Sequence, residues 1–136
     1  MMKILIITAL AFITSLSVKA QNEHAIDLKQ KDCLQNAIST MDMIKCQTDA
    51  GEAWDKELNK YYQLYMAATS EENKIILKAA QREWMVYRDK EYELINHHYY
   101  IELQGTMWRP IAAGERAKII KERALQLKNY YEELDM

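Results

Sequence analysis

The sequence predicts an all-α protein: a small antiparallel three-helix bundle with a short N-terminal helix stapled to it by one disulfide. Apolar and aromatic residues recur at steps of three, four and seven through three long stretches, and strict alternation is sustained nowhere. The first pattern is that of helices burying one face, and the lack of the second removes the signature of a half-buried strand. The staple follows from the two cysteines, Cys33 and Cys46, and from the leader that precedes them.

That leader is the first twenty residues: Lys3, an apolar run from Ile4 to Leu16, and the small-residue pattern ending at Ala20. The order is that of a cleavable export signal, and the run is short for a membrane span. Cleavage is expected after Ala20, with a retained N-terminal anchor as the alternative. The chain then divides into a signal peptide at 1–20, a flexible tail at 21–29 and one helical domain at 30–136. Loss of the leader removes Lys3, Lys19 and no acid, so the formal charge moves from -2 by two units to -4. Such mild acidity argues against nucleic acid, whose binders cluster Lys and Arg, and weakly favours a basic partner. A periplasmic location and no membrane span after cleavage are expected.

Export places both cysteines in an oxidising compartment, where a pair normally closes. Along one straight helix their thirteen-residue separation would span about 20 Å, whereas bridged Cα atoms lie within about 7 Å. The chain must therefore reverse between them. Ser39 and Thr40 supply the helix start that such a reversal needs, because their hydroxyls accept bonds from free N–H groups. Residues 30–38 are then a short helix or turn folded back on the first long helix. A redox dithiol would usually need a CxxC spacing, which is missing.

The first long helix is expected from Met41 to about Ala68, with Met43, Ala50, Trp54, Leu58, Tyr61 and Tyr65 on one stripe. Thr69 and Ser70 interrupt it. Ser70 caps a second helix from Glu71 to about Tyr100, with a stripe at Leu77, Ala80, Trp84, Tyr87, Glu91 and Leu94. So short a connection predicts antiparallel neighbours. Gln104 to Pro110 contains a glycine and a proline and reads as a loop, and the third helix begins near Ala112 or Gly114. After the leader removes Phe12, the aromatics are nine tyrosines and three tryptophans, rings that suit a thin core with wet margins.

Catalytic groups do not converge. His97 and His98 are adjacent rather than four apart, His24 falls in the expected tail, and no phosphate loop, nucleophile elbow or HExxH is present. No enzyme, metal or other cofactor is expected. One polar constellation stands out. A turn centred near residues 69 and 70 would bring Asp55, Asn59, Gln81 and Arg88 together across the hairpin, as a layer that fixes register or, alternatively, as a binding site.

The segments CLQNAISTMDMIKC, WDKELNKYYQLY and LKAAQREWMVYRDKE resemble the lysozyme-inhibitor LprI-like domain family of bacterial exported proteins, over Cys33 to about Leu127. The most specific parts are Ser39 to Cys46, the Asp55, Leu58, Asn59, Tyr62 cluster and the Gln81, Arg82, Trp84, Arg88 cluster; Ile119, Ile120 and Arg123 match a weaker late element. Typical members carry a second cysteine pair. Here Tyr92 occupies its first position, and nothing near Ala113 to Arg116 supplies the second. The resemblance implies a helical domain of the periplasm or cell envelope and inhibition of lysozyme by direct binding. Lysozymes are commonly basic, so an acidic partner gains in encounter rate. Thr106, Trp108 and Arg109 are the candidate contact residues, since Trp and Arg often anchor interfaces. The alternatives are that Trp108 tucks under the bundle end while Pro110 starts the last helix, and that the chain is a structural or assembly module of the envelope.

Overall fold

The computed structural model describes residues 23–136, so the expected signal peptide and the first two residues of the expected tail lie outside the described residues. Four helices dominate: α1 (Ala25–Asn36), α2 (Thr40–Ala68), α3 (Glu71–Asn96) and α4 (Trp108–Glu132). A π-helical turn at His97–Glu102 extends α3, and a 3-10 turn at Glu133–Asp135 ends the chain. The described residues contain no strand. The fold is all-α, with α2, α3 and α4 running up, down and up and α1 folded back on α2.

Residues 25–29 form the first turns of α1, which corrects the expectation of a flexible tail up to residue 29. His24 caps the helix: its Nδ1 accepts from the Ile26 N–H at 3.2 Å. Its ring lies 4.5 Å from that of Trp54. Ile26 packs on the core, and Asp27 pairs with Lys121 of α4 at 2.7 Å. The segment is ordered because three side chains in four residues find partners on the bundle. Beyond α1 the chain turns at Ala37 and Ile38, and the Cys33–Cys46 disulfide closes across the reversal with Cα atoms 5.7 Å apart.

Ser39 opens α2 through a capping box. The Asp42 N–H donates to Ser39 Oγ at 3.0 Å, and the Ser39 N–H donates to Asp42 Oδ2 at 3.0 Å, so two free amides are satisfied reciprocally. The Ser39 hydroxyl, aided by the Ile38 and Ser39 amides, holds the Asp42 carboxyl below its ordinary 3.8. A carboxyl depressed in the folded state stabilises above its unfolded pKa, and that contribution is lost as pH falls through the folded value. The melting temperatures of wild type and Asp42→Asn are therefore expected to differ at pH 7 and to converge below about pH 4. Parallel curves across that range would show that ionisation of Asp42 contributes nothing.

The close helix pair is α2 with α4, while α3 makes few near approaches to α4 and fewer to α2. Small residues cause this. A Cβ placed on Gly51 would stand 3.4 Å from Ala117 Cβ, and Ala50, Ala113 and Ala117 are buried along the same seam. Without side chains to separate them, the two backbones approach closely. The core continues along the seam as Trp54, Leu58, Ala124 and Leu127, joined by Leu77 from α3. Half-buried Tyr61, Tyr62, Tyr65 and Trp84 surround it, which is the packing expected of a tyrosine-rich chain.

Turning to α3, its expected stripe divides. Leu77 and Ile95 are buried and Trp84 packs on the core, but Ala80, Tyr87 and Leu94 are exposed. The inward face follows Leu77, Gln81, Trp84, Arg88, Tyr92 and Ile95 instead, a set offset around the helix by the bulk of Trp84 and Tyr92. α4 begins at Trp108 rather than near residue 112. Pro110 is its third residue, where the missing N–H would have had no intrahelical partner.

Candidate functional site

α2 and α4 run parallel, so their N-terminal ends lie at one pole of the molecule together with the C-terminal end of α3. The register is visible in side-chain contacts: Gly114 sits against Gln47, Gly51 against Ala117, and Lys121 lies 5.4 Å over the Trp54 ring. Two turns, residues 37–39 and 103–107, therefore share that pole.

The π-helical turn brings α3 to a stop there. Its last bond runs from the Leu103 N–H to the His98 carbonyl at 3.0 Å. Gln104 (φ 52°) and Gly105 (φ 100°) then occupy left-handed backbone, which ends the helix and reverses the chain. Below the turn, the Arg116 guanidinium of α4 donates to Tyr100 Oη at 3.0 Å and to Asn96 Oδ1. Tyr99 stacks on Trp108 with ring centroids 6.2 Å apart and touches His98 edge-on. His97 Nε2 lies 3.0 Å from Glu102 Oε1. The turn is thus tied to α4 by side chains of both helices.

Over this scaffold lie apolar side chains that nothing covers among the described residues: Ile38 is 96% exposed, Met41 71%, Met107 67% and Ile101 58%, with Leu103 and Ile111 also exposed. Ile38 and Met41 come from the reversal that the disulfide holds, the others from the turn that Arg116 holds. Scattered apolar residues are ordinary on a surface, but a group at one pole on two tethered turns is the pattern of a binding surface.

Of the expected contact residues, Thr106 and Arg109 are exposed at this pole, and the Arg109 N–H donates to the Thr106 carbonyl at 3.2 Å. Trp108 is half-buried against Tyr99, so it supports the turn more than it offers itself to a partner. The exposed methionines and isoleucines went unnoticed in the sequence. They lie off the helical stripes, and no spacing rule marks them.

The expected polar layer does not assemble. Asp55 and Asn59 bond to each other along α2, the Asn59 Nδ2 donating to the Asp55 carbonyl at 2.8 Å and to its Oδ2 at 3.1 Å. Arg88 pairs with its neighbour Asp89 at 2.7 Å and stacks over Trp84 and Tyr92. Gln81 Oε1 accepts from Arg123 Nε of α4 at 3.0 Å. Counting residues from the turn placed α3 against α2, whereas α3 stands away from α2 here and Asp55 faces an open groove.

Next to the pole, a groove of about 500 Å³ opens where α3 stands away from α2. Gly51, Ala113 and Ala117 form its floor, and Asp55, Tyr92 and Arg116 stand along its walls. The Tyr92 hydroxyl donates to the Arg116 carbonyl at 3.4 Å, and burial raises its pKa above the ordinary phenol value. This bond joins α3 to α4 in the region where the family resemblance places a second cysteine pair, which this chain lacks. No group of metal-ligating side chains occurs among the described residues, and none of their helices is long and apolar enough to cross a membrane.

Comparison with known proteins agrees with this architecture. The chain is 32% identical to an uncharacterised protein of Rhizobium meliloti over 117 residues, covering 76% of this chain and 81% of that protein. The crystal structure of an uncharacterised protein from Burkholderia thailandensis superposes with a TM-score of 0.76 at 27% identity, covering 84% of this chain. The match spans 56% of the Burkholderia chain. The model of the family described as lysozyme inhibitor LprI matches residues 31–127, from α1 through the buried Leu127 of α4, and the chain accordingly belongs to that family.

Proposed function

We propose that this protein is exported, loses its leader after Ala20, and acts in the periplasm as a non-enzymatic inhibitor that binds a lysozyme directly. Membership of the lysozyme inhibitor LprI family supports the target class. The observation that carries the mode of action is the apolar pole, in which Met107, Ile101 and Ile38 stand exposed on two turns anchored by the disulfide and by Arg116. Anchored turns lose little freedom on binding, so their apolar area converts efficiently into affinity. Thr106 and Arg109 supply polar contacts at the rim. The acidic charge expected of the mature chain raises the encounter rate with a basic enzyme.

The mature protein is expected to slow lysozyme-driven lysis of a peptidoglycan suspension at near-stoichiometric dose, more strongly at low than at high salt. Met107→Asp combined with Ile101→Asp should weaken inhibition by roughly tenfold or more, the loss from disturbing two interface anchors, while leaving the helical circular dichroism unchanged. If several lysozyme types are all unaffected by the wild-type protein, the inhibitor reading is wrong and the envelope assembly module takes its place. If inhibition survives the double substitution, the target binds elsewhere.

A further inference from the structure

α3 carries two stripes, and the bundle uses only one. On the flank beside the core-facing stripe, Ile76, Ala80, Glu83, Tyr87, Lys90 and Leu94 follow one another at alternating steps of four and three, and all six are exposed. That spacing is a heptad seam, the arrangement by which one helix lays itself along another. Ile75, Ala79 and Val86, also exposed, widen it on one side. From Ile76 to Leu94 the seam is about 27 Å long, at 1.5 Å per residue. Four of the six positions, Ile76, Ala80, Tyr87 and Leu94, are apolar or aromatic, and the other two, Glu83 and Lys90, carry opposite charges.

We infer that this face of α3 pairs with the same face of a second copy, antiparallel, to form a two-fold dimer. The order of residues selects both the occupant and the direction. The seam has a bulky apolar residue at each end, Ile76 and Leu94, and one acid and one base on either side of its midpoint, Glu83 and Lys90. In an antiparallel pair Ile76 comes opposite Leu94 of the second copy. Glu83 then lies about three residues along from Lys90 of the second copy and about four from its Glu83, so two attractive contacts, related by the two-fold axis, outweigh one repulsive contact. A parallel pair would instead set Glu83 beside Glu83 and Lys90 beside Lys90, which like-charge repulsion disfavours. Glu83 has no cationic partner among the described residues, and Lys90 bonds only to exposed Glu93 on its own helix. Exchanging so exposed a pair for a contact between copies costs little. Along this face Tyr87 borders α4, lining a groove with Ile119 and Glu122, and all six residues of the seam stay exposed. The antiparallel arrangement would carry the two apolar poles at opposite ends of the dimer.

The seam is narrow, so the dimer should be weak, with a dissociation constant on the order of tens of micromolar. Sedimentation equilibrium of the mature chain between roughly 5 and 500 μM should show the mass rising toward twice that of the monomer. Leu94→Asp should leave it monomeric across the range with unchanged helical content. Glu83→Lys and Lys90→Glu should each weaken the dimer at least fivefold, and the double charge reversal should restore it. A monomer at every concentration overturns the inference, as does a dimer indifferent to Leu94→Asp and to both charge reversals, because it would use another face.

Discussion

Trp54→Ala is expected to remove about 3–5 kcal/mol, a large part of the 5–15 kcal/mol that holds a domain of this size together. Trp54 is 2% exposed and stands where the start of α1, α2 and α4 come together. His24 of the α1 cap stacks on its ring, Lys121 of α4 lies over it, and it belongs to the same core cluster as Leu58, Leu77, Ala124 and Leu127. Loss of the ring opens a cavity that rigid helix backbones cannot collapse into, and it frees the start of α1. The Trp54 Nε1 is buried without a hydrogen-bond partner among the described residues, a state that costs about 1–3 kcal/mol. Trp54→Phe removes that orphan donor while keeping most of the apolar volume, so it should cost much less than alanine. Urea denaturation followed by circular dichroism checks both variants. Both variants remove the orphan donor, so equal losses for the two would mean that the retained ring volume contributes nothing.

Removing the disulfide, by reduction or by Cys33→Ser with Cys46→Ser, should lower stability by about 3 kcal/mol through the greater freedom of the unfolded chain. Its local effect is as informative as its size. The bridge and the His24, Ile26 and Asp27 contacts hold opposite ends of α1. Without the bridge, the C-terminal turn of α1 and the Ile38 reversal should open first, seen as faster amide exchange at residues 31–38 with α2 and α4 still protected. The same opening would carry Ile38 away from the pole that Met107 shares, so reduction should also weaken lysozyme inhibition. Uniform loss of protection across the molecule would contradict a local role for the staple. Because Trp54 and the disulfide both secure α1, their losses should not add.

Several elements were legible in the sequence for physical reasons that operate locally. The breaks at Ser39, Ser70 and Gly105 are capping and backbone effects, each decided within a few residues. The Cys33 to Cys46 reversal followed from the length of a helix compared with the reach of a disulfide. Local rules failed where a choice between faces was made. In α3 the sequence presents two apolar stripes, and periodicity mixed them by joining Leu77 and Trp84 to Ala80, Tyr87 and Leu94. The tail was misjudged for a related reason. Ala25 to Lys29 looks polar and unremarkable, and it is ordered by Trp54, Lys121 and the core against which Ile26 packs, all distant in sequence.

The candidate site divides along the same line. By itself the sequence determined the class of fold, the staple, the three helical stretches and the family resemblance, since each rests on spacing along one chain. Only the tertiary structure decided that α4, rather than α3, lies closest to α2. The small side chains of Gly51, Ala113 and Ala117 permit an approach that the bulk of Trp84 and Tyr92 denies to α3. That one choice dispersed the Asp55, Asn59, Gln81 and Arg88 layer, set Tyr92 against Arg116 and opened the groove between them. It also gathered Ile38, Met41, Ile101 and Met107 at one pole, because parallel α2 and α4 begin at the same end. Which helices pack closest depends on the fit of whole surfaces, and no window of the sequence contains both surfaces at once.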